Sequence, residues 1–203
     1  MQKRFARLAL ISTICVLVFA SGCLYDATTG QVVVTEQICV LFRQHQETGT
    51  FATTEICDKF KTRLEGLLAE NGASPEDVVS LGVVGGTYKV VDSKFDHDWV
   101  ITSSVTVTRQ DDPQGPIMDG PALFVGETTQ SLTAAQKNKL TANLDAAGIQ
   151  LIDDALADVL AGGDPRVLVT MEGASISPVP STEDPLDFKW LACIRFQAVI
   201  QVD

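Results

Sequence analysis

Eight apolar residues stand at every second position of 188–202: Phe188, Trp190, Ala192, Ile194, Phe196, Ala198, Ile200 and Val202. Period two belongs to an extended strand, whose successive side chains point to opposite faces. A strand this long with one wholly apolar face needs cover along its whole length. It therefore belongs near the middle of a sheet, across much of the core. Its other face is mixed, with Lys189, Arg195, Gln197 and Gln201 beside Leu191, Cys193 and Val199. Phe188, Trp190 and Phe196 would also suit an aromatic ligand groove, but core packing accounts for them more simply.

Other stretches share this strand character. Residues 31–43 are rich in Val and Ile and place Ile38, Val40 and Phe42 on one face, ahead of a turn at Gln46–Gly49. Val83 onward is extended, with a bulge expected at Gly85-Gly86. These glycines lack the Gly-Lys-Ser/Thr ending of a phosphate loop. Residues 99–109 put Trp99, Ile101, Val105 and Val107 on one side, with Ser103 the polar exception. Thr102, Ser104, Thr106 and Thr108 stand on the other, the signature of an antiparallel sheet wet on one face. Residues 122–128 and 166–177 complete the strands, the latter burying Val167, Val169 and Met171.

Helical spacing is rarer. Ile56, Phe60, Leu64, Leu67 and Leu68 predict an amphipathic helix over 54–71, capped by Thr53 or Thr54 and stopped at Asn71-Gly72. Ser74-Pro75-Glu76-Asp77 predicts a short helical start. Thr133-x-x-Gln136 reads as a capping box, with Leu132, Leu140 and Leu144 on the buried face behind it. A break at Gly148 and a resumption over 149–160 follow, placing Asp153, Asp154 and Asp158 on a solvated side. Together these elements predict an α+β fold: an antiparallel β-sandwich-like sheet with two or three helices.

The chain opens differently. Lys3, Arg4 and Arg7 precede an apolar run over 8–20, the length of a signal h-region and short for a membrane span. Ala20-Ser21-Gly22 then offers small residues to a peptidase, and an ordinary secretory signal would account for these residues. The cysteine that follows adds a sharper likeness: Ala20-Ser21-Gly22-Cys23 resembles the lipobox of bacterial lipoprotein precursors, with Ala20 where that family favours leucine. The resemblance covers residues 1–23. It implies a diacylglycerol on the Cys23 thiol, cleavage before Cys23 and acylation of the new amino group, hence a bacterial cell envelope protein attached through an N-terminal lipid. Leu24 after the cysteine implies the outer membrane if the host is diderm. The expected division is a signal peptide over 1–22, a tether over 23–31 and a single α+β domain over 32–203.

Cleavage before Cys23 removes three of 15 basic and none of 26 acidic residues, leaving 12 against 26, a formal −14. Averaged over the surface, that charge makes nucleic acid and anionic lipid headgroups poor partners. Cys15 leaves with the signal, so Cys39, Cys57 and Cys193 remain for one disulfide and one leftover thiol. Cys39–Cys57 flanks one turn and closes the shortest loop, which makes it the expected pair; three buried thiols are the alternative.

Chemical motifs are sparse. Asp111, Asp112 and Asp119 share a Pro- and Gly-rich loop that calcium could use, though without EF-hand spacing. Asp96-His97-Asp98 flanks a histidine with carboxylates, but neighbours on an extended segment point to opposite faces. No Gly-x-Ser-x-Gly, His-Glu-x-x-His or Ser-x-x-Lys is present. No catalytic residue and no cofactor are assigned. The expectation is an anchored, non-catalytic binding or structural domain, whose partner is an envelope protein or glycan. The alternative is a carrier that holds an apolar ligand or lipid between sheet and helices.

Overall fold

The computed structural model describes residues 24–26, 28–110, 120–126 and 128–202. The signal segment, Cys23 and the candidate calcium ligands Asp111, Asp112 and Asp119 lie outside the described residues. Among the described residues, two antiparallel sheets and three helices run in the order β1 (Leu24–Asp26), β2 (Gln31–Gln46), β3 (Thr50–Cys57), α1 (Phe60–Glu70), β4 (Val78–Val91), β5 (Val100–Gln110), β6 (Thr128–Ser131), α2 (Leu132–Lys137), β7 (Leu140–Ala142), α3 (Ala146–Leu160), β8 (Arg166–Ser177) and β9 (Leu186–Gln201). The five-stranded sheet runs β1-β2-β9-β4-β7 and the four-stranded sheet β3-β8-β5-β6.

The period-two strand takes the place its pattern demands. β9 lies at the centre of the five-stranded sheet, paired with β2 from Gln31↔Gln201 to Gln46↔Leu186 and with β4 on its other side. Its even-numbered residues from Phe188 to Ile200 are all buried. Trp190 stacks on Tyr88 of β4 at 5.0 Å, and Phe188 meets Phe51 of β3 edge-on at 5.7 Å, which joins the two sheets. The Trp190 indole N–H has no hydrogen-bond acceptor among the described residues. Such an orphaned group costs about 1–3 kcal/mol, set here against one of the largest apolar contact areas in the fold.

Beyond the facing sheets, the sheet is covered by helices. α1 packs on β2 and α3 through Phe60, Leu64, Leu67 and Leu68, while α3 buries Ile152, Ala155, Leu156 and Val159. One hydrophobic cluster includes residues from both sheets and all three helices. Each fully buried Leu or Phe contributes about 1.5–3 kcal/mol to holding these layers together.

Several local expectations are corrected. Residues 54–57 are strand, not helix: Thr50–Cys57 pairs with β8 from Thr50↔Ala174 to Cys57↔Val167, and α1 begins only at Phe60. Thr53, Thr54 and Ile56 are β-branched and favour the pleated sheet. Ile56 stands on its outer face, 47% exposed. The stop at Asn71-Gly72 holds, with Gly72 at φ +66. Pro75–Asp77 is a single 3-10 turn closed by a reciprocal Ser74–Asp77 capping box. Within the expected tether over 23–31, Leu24–Asp26 pairs with Gln31–Val33, and Gly30 closes the turn by donating to the Asp26 carbonyl at 2.9 Å. Its polar composition marks a tight turn rather than a linker. Ala122 and Phe124 make only isolated bridges, and strand pairing resumes at Thr128. Ser131 rather than Thr133 caps α2, accepting from the Ala134 N–H at 3.0 Å.

Gly148 does not break its helix. It sits in the first turn of α3, where a Cβ would lie 2.4 Å from the Ala122 carbonyl oxygen, so glycine permits a close approach. The bulge in β4 falls at Val83/Gly85, beside the glycines that suggested it. The face carrying Asp153, Asp154 and Asp158 does more than meet solvent. Asp153 Oδ1 accepts from the Val83 N–H of β4 at 2.8 Å, and Asp158 pairs with Arg109 of β5 at 2.9 Å. Asp153 thereby occupies a backbone donor of β4, a strand that β7 pairs with only at Gly86–Tyr88. Burial raises its carboxyl above the usual aspartate value.

Candidate binding site

The disulfide joins Cys39 to Cys193, correcting the expected Cys39–Cys57 pair. The two cysteines are directly opposed in the β2–β9 register. Cys57 ends β3 in the other sheet as a free, buried thiol, pushed up to about 11 by burial. Loop length favoured the short pair, but strand register brings a residue 154 positions away into contact.

The triplet Asp96-His97-Asp98 diverges. His97 Nε2 lies 3.3 Å from Asp184, while Asp98 accepts from the Ser131 hydroxyl at 2.6 Å and the Thr133 N–H at 3.3 Å. Those bonds, the Ser131 one first, hold the Asp98 carboxyl below its usual value. Among the described residues, no group of three His, Cys, Asp or Glu could hold a metal ion.

A different polar cluster forms at one end of the five-stranded sheet. The β2–β9 register sets His45 opposite Asp187, with Nδ1 2.5 Å from the carboxylate, and Nε2 lies 3.7 Å from Glu47. The hydrogen bond to Asp187, then its charge, raises the imidazole above its ordinary value. Both ring nitrogens thus face carboxylates, an arrangement that favours the protonated cation over a base or metal ligand. One row further in, Arg43 opposes Lys189, whose ammonium lies 3.9 Å from Asp92. Asp92 has φ +46, in the left-handed region that Asp tolerates better than most residues. The Ser93 hydroxyl is committed on both sides, donating to the Val91 carbonyl and accepting from the Lys189 N–H, each at 2.9 Å. An open depression of about 610 Å³ lies among these groups.

This cluster ends a longer surface, the outer face of the five-stranded sheet. Its rows read Arg43–Lys189–Val91, Leu41–Leu191–Lys89, Cys39–Cys193–Thr87 and Gln37–Arg195–Gly85 across β2, β9 and β4. Sequence reasoning saw Lys189 and Arg195 as a mixed face of one strand. Arg43, Lys89 and His45 join them only through the register of two further strands. The arrangement offers guanidinium and ammonium donors around an apolar centre, which suits recognition of anions rather than bond-making.

The space between the five-stranded sheet and the helices, where the alternative expectation placed an apolar ligand, is occupied by the protein itself. Leu64, Ile152, Leu156, Phe196 and Trp190 fill it, each below 2% exposed. No helix among the described residues is long and apolar enough to cross a membrane.

No protein-family model matches the chain, and no curated protein matches it. Among solved structures it is similar to a decameric BFDV capsid protein, at 9% identity over 82% of this chain and 98% of that one, with a TM-score of 0.42. It is also similar to the structure of infectious bursal disease virus Gx strain, at 11% identity over 85% of this chain and 37% of that one, with a TM-score of 0.27. At these values neither likeness carries an argument about this chain.

Proposed function

We propose that the chain is a lipid-anchored lipoprotein of a bacterial cell envelope, and that its sandwich-like α+β domain acts by binding through the outer face of the five-stranded sheet. The observation that carries the anchor is Ala20-Ser21-Gly22-Cys23, placed one residue before β1. A lipid on Cys23 would hold the edge of that sheet against the bilayer, with no linker between. Leu24 after the cysteine favours the outer membrane if the host is diderm. Attachment through two or more acyl chains is effectively stable, since each buried methylene contributes about 0.8 kcal/mol.

Support for binding over catalysis comes from what the polar groups are already doing. His45 is held by two carboxylates and Ser93 by two backbone groups, so neither is poised as a base or nucleophile. The experiment is fractionation of cells fed an alkyne fatty acid. The native chain should take up the label and sediment with membranes, and Cys23→Ser should lose the label. An unlabelled native chain in the soluble fraction would overturn the proposal.

A further inference from the structure

We infer that the surface which the outer face of the five-stranded sheet binds is the anionic headgroup layer of the membrane in which the chain is anchored. The inference rests on the anchor proposed above and names the partner of that same face. Net charge argues against such a partner only as an average. Four of the 12 basic residues beyond the signal, Arg43, Lys89, Lys189 and Arg195, stand on this one face. From the Val33–Val199 row to the Leu41–Leu191 row it carries no carboxylate among the described residues. Acids border it instead: Asp26 beyond one end, Asp187 and Asp92 at the other, Glu36 along the β2 edge and Asp153 beside Gly82 along the β4 edge. Of the four cations, Lys189 alone forms an ion pair among the described residues, and that one is long at 3.9 Å.

The face also has shape. A depression of about 290 Å³ beside the disulfide is lined by Gln37, Leu41 and Leu191 of the sheet and by Lys59 and Arg63 of α1, with Glu36 between them. Two further cations thus reach the rim of the same surface. Leu41, Leu191 and the Cys39–Cys193 bridge give the face an apolar stretch between the Arg43–Lys189 row and Arg195, a pattern suited to a headgroup layer.

Position supplies the remaining step. β1 pairs with Gln31–Val33 at the free edge of β2, and Cys23 immediately precedes it. The Arg195 row is four residues along β2 from Val33, about 13 Å, and the Arg43 row is ten, about 33 Å. A lipid at Cys23 would therefore hold all four cations within reach of one bilayer surface. The carboxylates of the opposite sheet stand about 10 Å or more away, at or beyond the Debye length of physiological salt, so they weaken this contact little.

The test uses lysines already present. The full chain is extracted from membranes, its intact mass is recorded, and it is reconstituted into neutral phosphatidylcholine vesicles or mixed phosphatidylcholine–phosphatidylglycerol vesicles. A water-soluble amine reagent then reads each lysine. Lys89 and Lys189 should react several-fold more slowly in the mixed vesicles, with the difference lost at high salt, while exposed Lys137 and Lys139 react alike in both. Each cation near an anionic surface is worth roughly fivefold in occupancy, so Arg43→Gln with Arg195→Gln should lower occupancy about 25-fold and abolish the protection. Equal rates in the two vesicles would overturn the inference. So would protection of Lys89 and Lys189 in native membranes alone, which would assign the face to an acidic protein. A mass without acyl groups would remove the anchor. The same footprint with vesicles added to the unanchored chain would then judge the face alone.

Discussion

Replacing Cys39 and Cys193 together by alanine removes the covalent link between β2 and β9. The bridge closes a loop of 154 residues, for which chain entropy gives about 5 kcal/mol of stabilisation. A Cys39–Cys57 bridge would close only 18 positions and give about 3 kcal/mol on the same scale. The observed loss should fall between about 2 and 5 kcal/mol, because β2 and β9 stay paired along their length and native bridges rarely deliver the full entropic value. For a domain of this size that lowers Tm by roughly 5–20 °C. In urea the midpoint should fall while the slope rises, since the unfolded chain loses its cross-link and exposes more surface. Thiol counting completes the assay. The folded native protein should show no reactive thiol, and the unfolded, unreduced protein should show Cys57, whose thiol burial keeps protonated. A double variant that melts with the native protein would refute the reasoning. So would a native chain with Cys39 and Cys193 both free on unfolding.

Gly148→Ala should destabilise by about 1–3 kcal/mol despite alanine's better helix propensity, because the new Cβ meets the backbone of Ala122 and Leu123; a neutral or stabilising effect in urea would mean that this contact relaxes freely. His45 should titrate above 6.5 by NMR, and Asp187→Asn should bring it back toward that value; its folded-state contribution is full below 6.5 and fades as pH rises through the folded value, and an unshifted titration would count against the pair. Asp153 carries the opposite sense for a carboxyl: raised in the fold, it favours folding below 3.8 and loses that contribution as pH rises through the folded value. Asp153→Asn should therefore be at least as stable at pH 7, while Asp153→Ala, which strands the Val83 N–H, should lose about 1–3 kcal/mol; equal losses in both would show that the charge itself is needed.

The long strand was legible because eight successive alternations leave one assignment. The helix over 54–71 was half right for a reason visible in the numbers. Ile56, Phe60, Leu64 and Leu68 are four apart, and four fits both the helical repeat and the parity of a strand. Only β-branching at Thr53, Thr54 and Ile56 separates the two, a weaker signal than spacing. The disulfide was misassigned because loop closure grows only with the logarithm of length, so register outweighs it. The cationic face was hidden for the same reason: Arg43, Lys89 and Lys189 become neighbours through pairing across three strands. The Asp96–Asp98 triplet, by contrast, was local, and it does diverge, though in a bend ahead of β5 rather than on an extended strand.

The central claim is the anchor, and the intact mass of the chain from the membrane fraction, before and after reduction, tests it most directly. The account predicts a chain beginning at Cys23, heavier by its acyl groups, that gains two hydrogens when the Cys39–Cys193 bridge opens. A chain beginning elsewhere and carrying no lipid would contradict it.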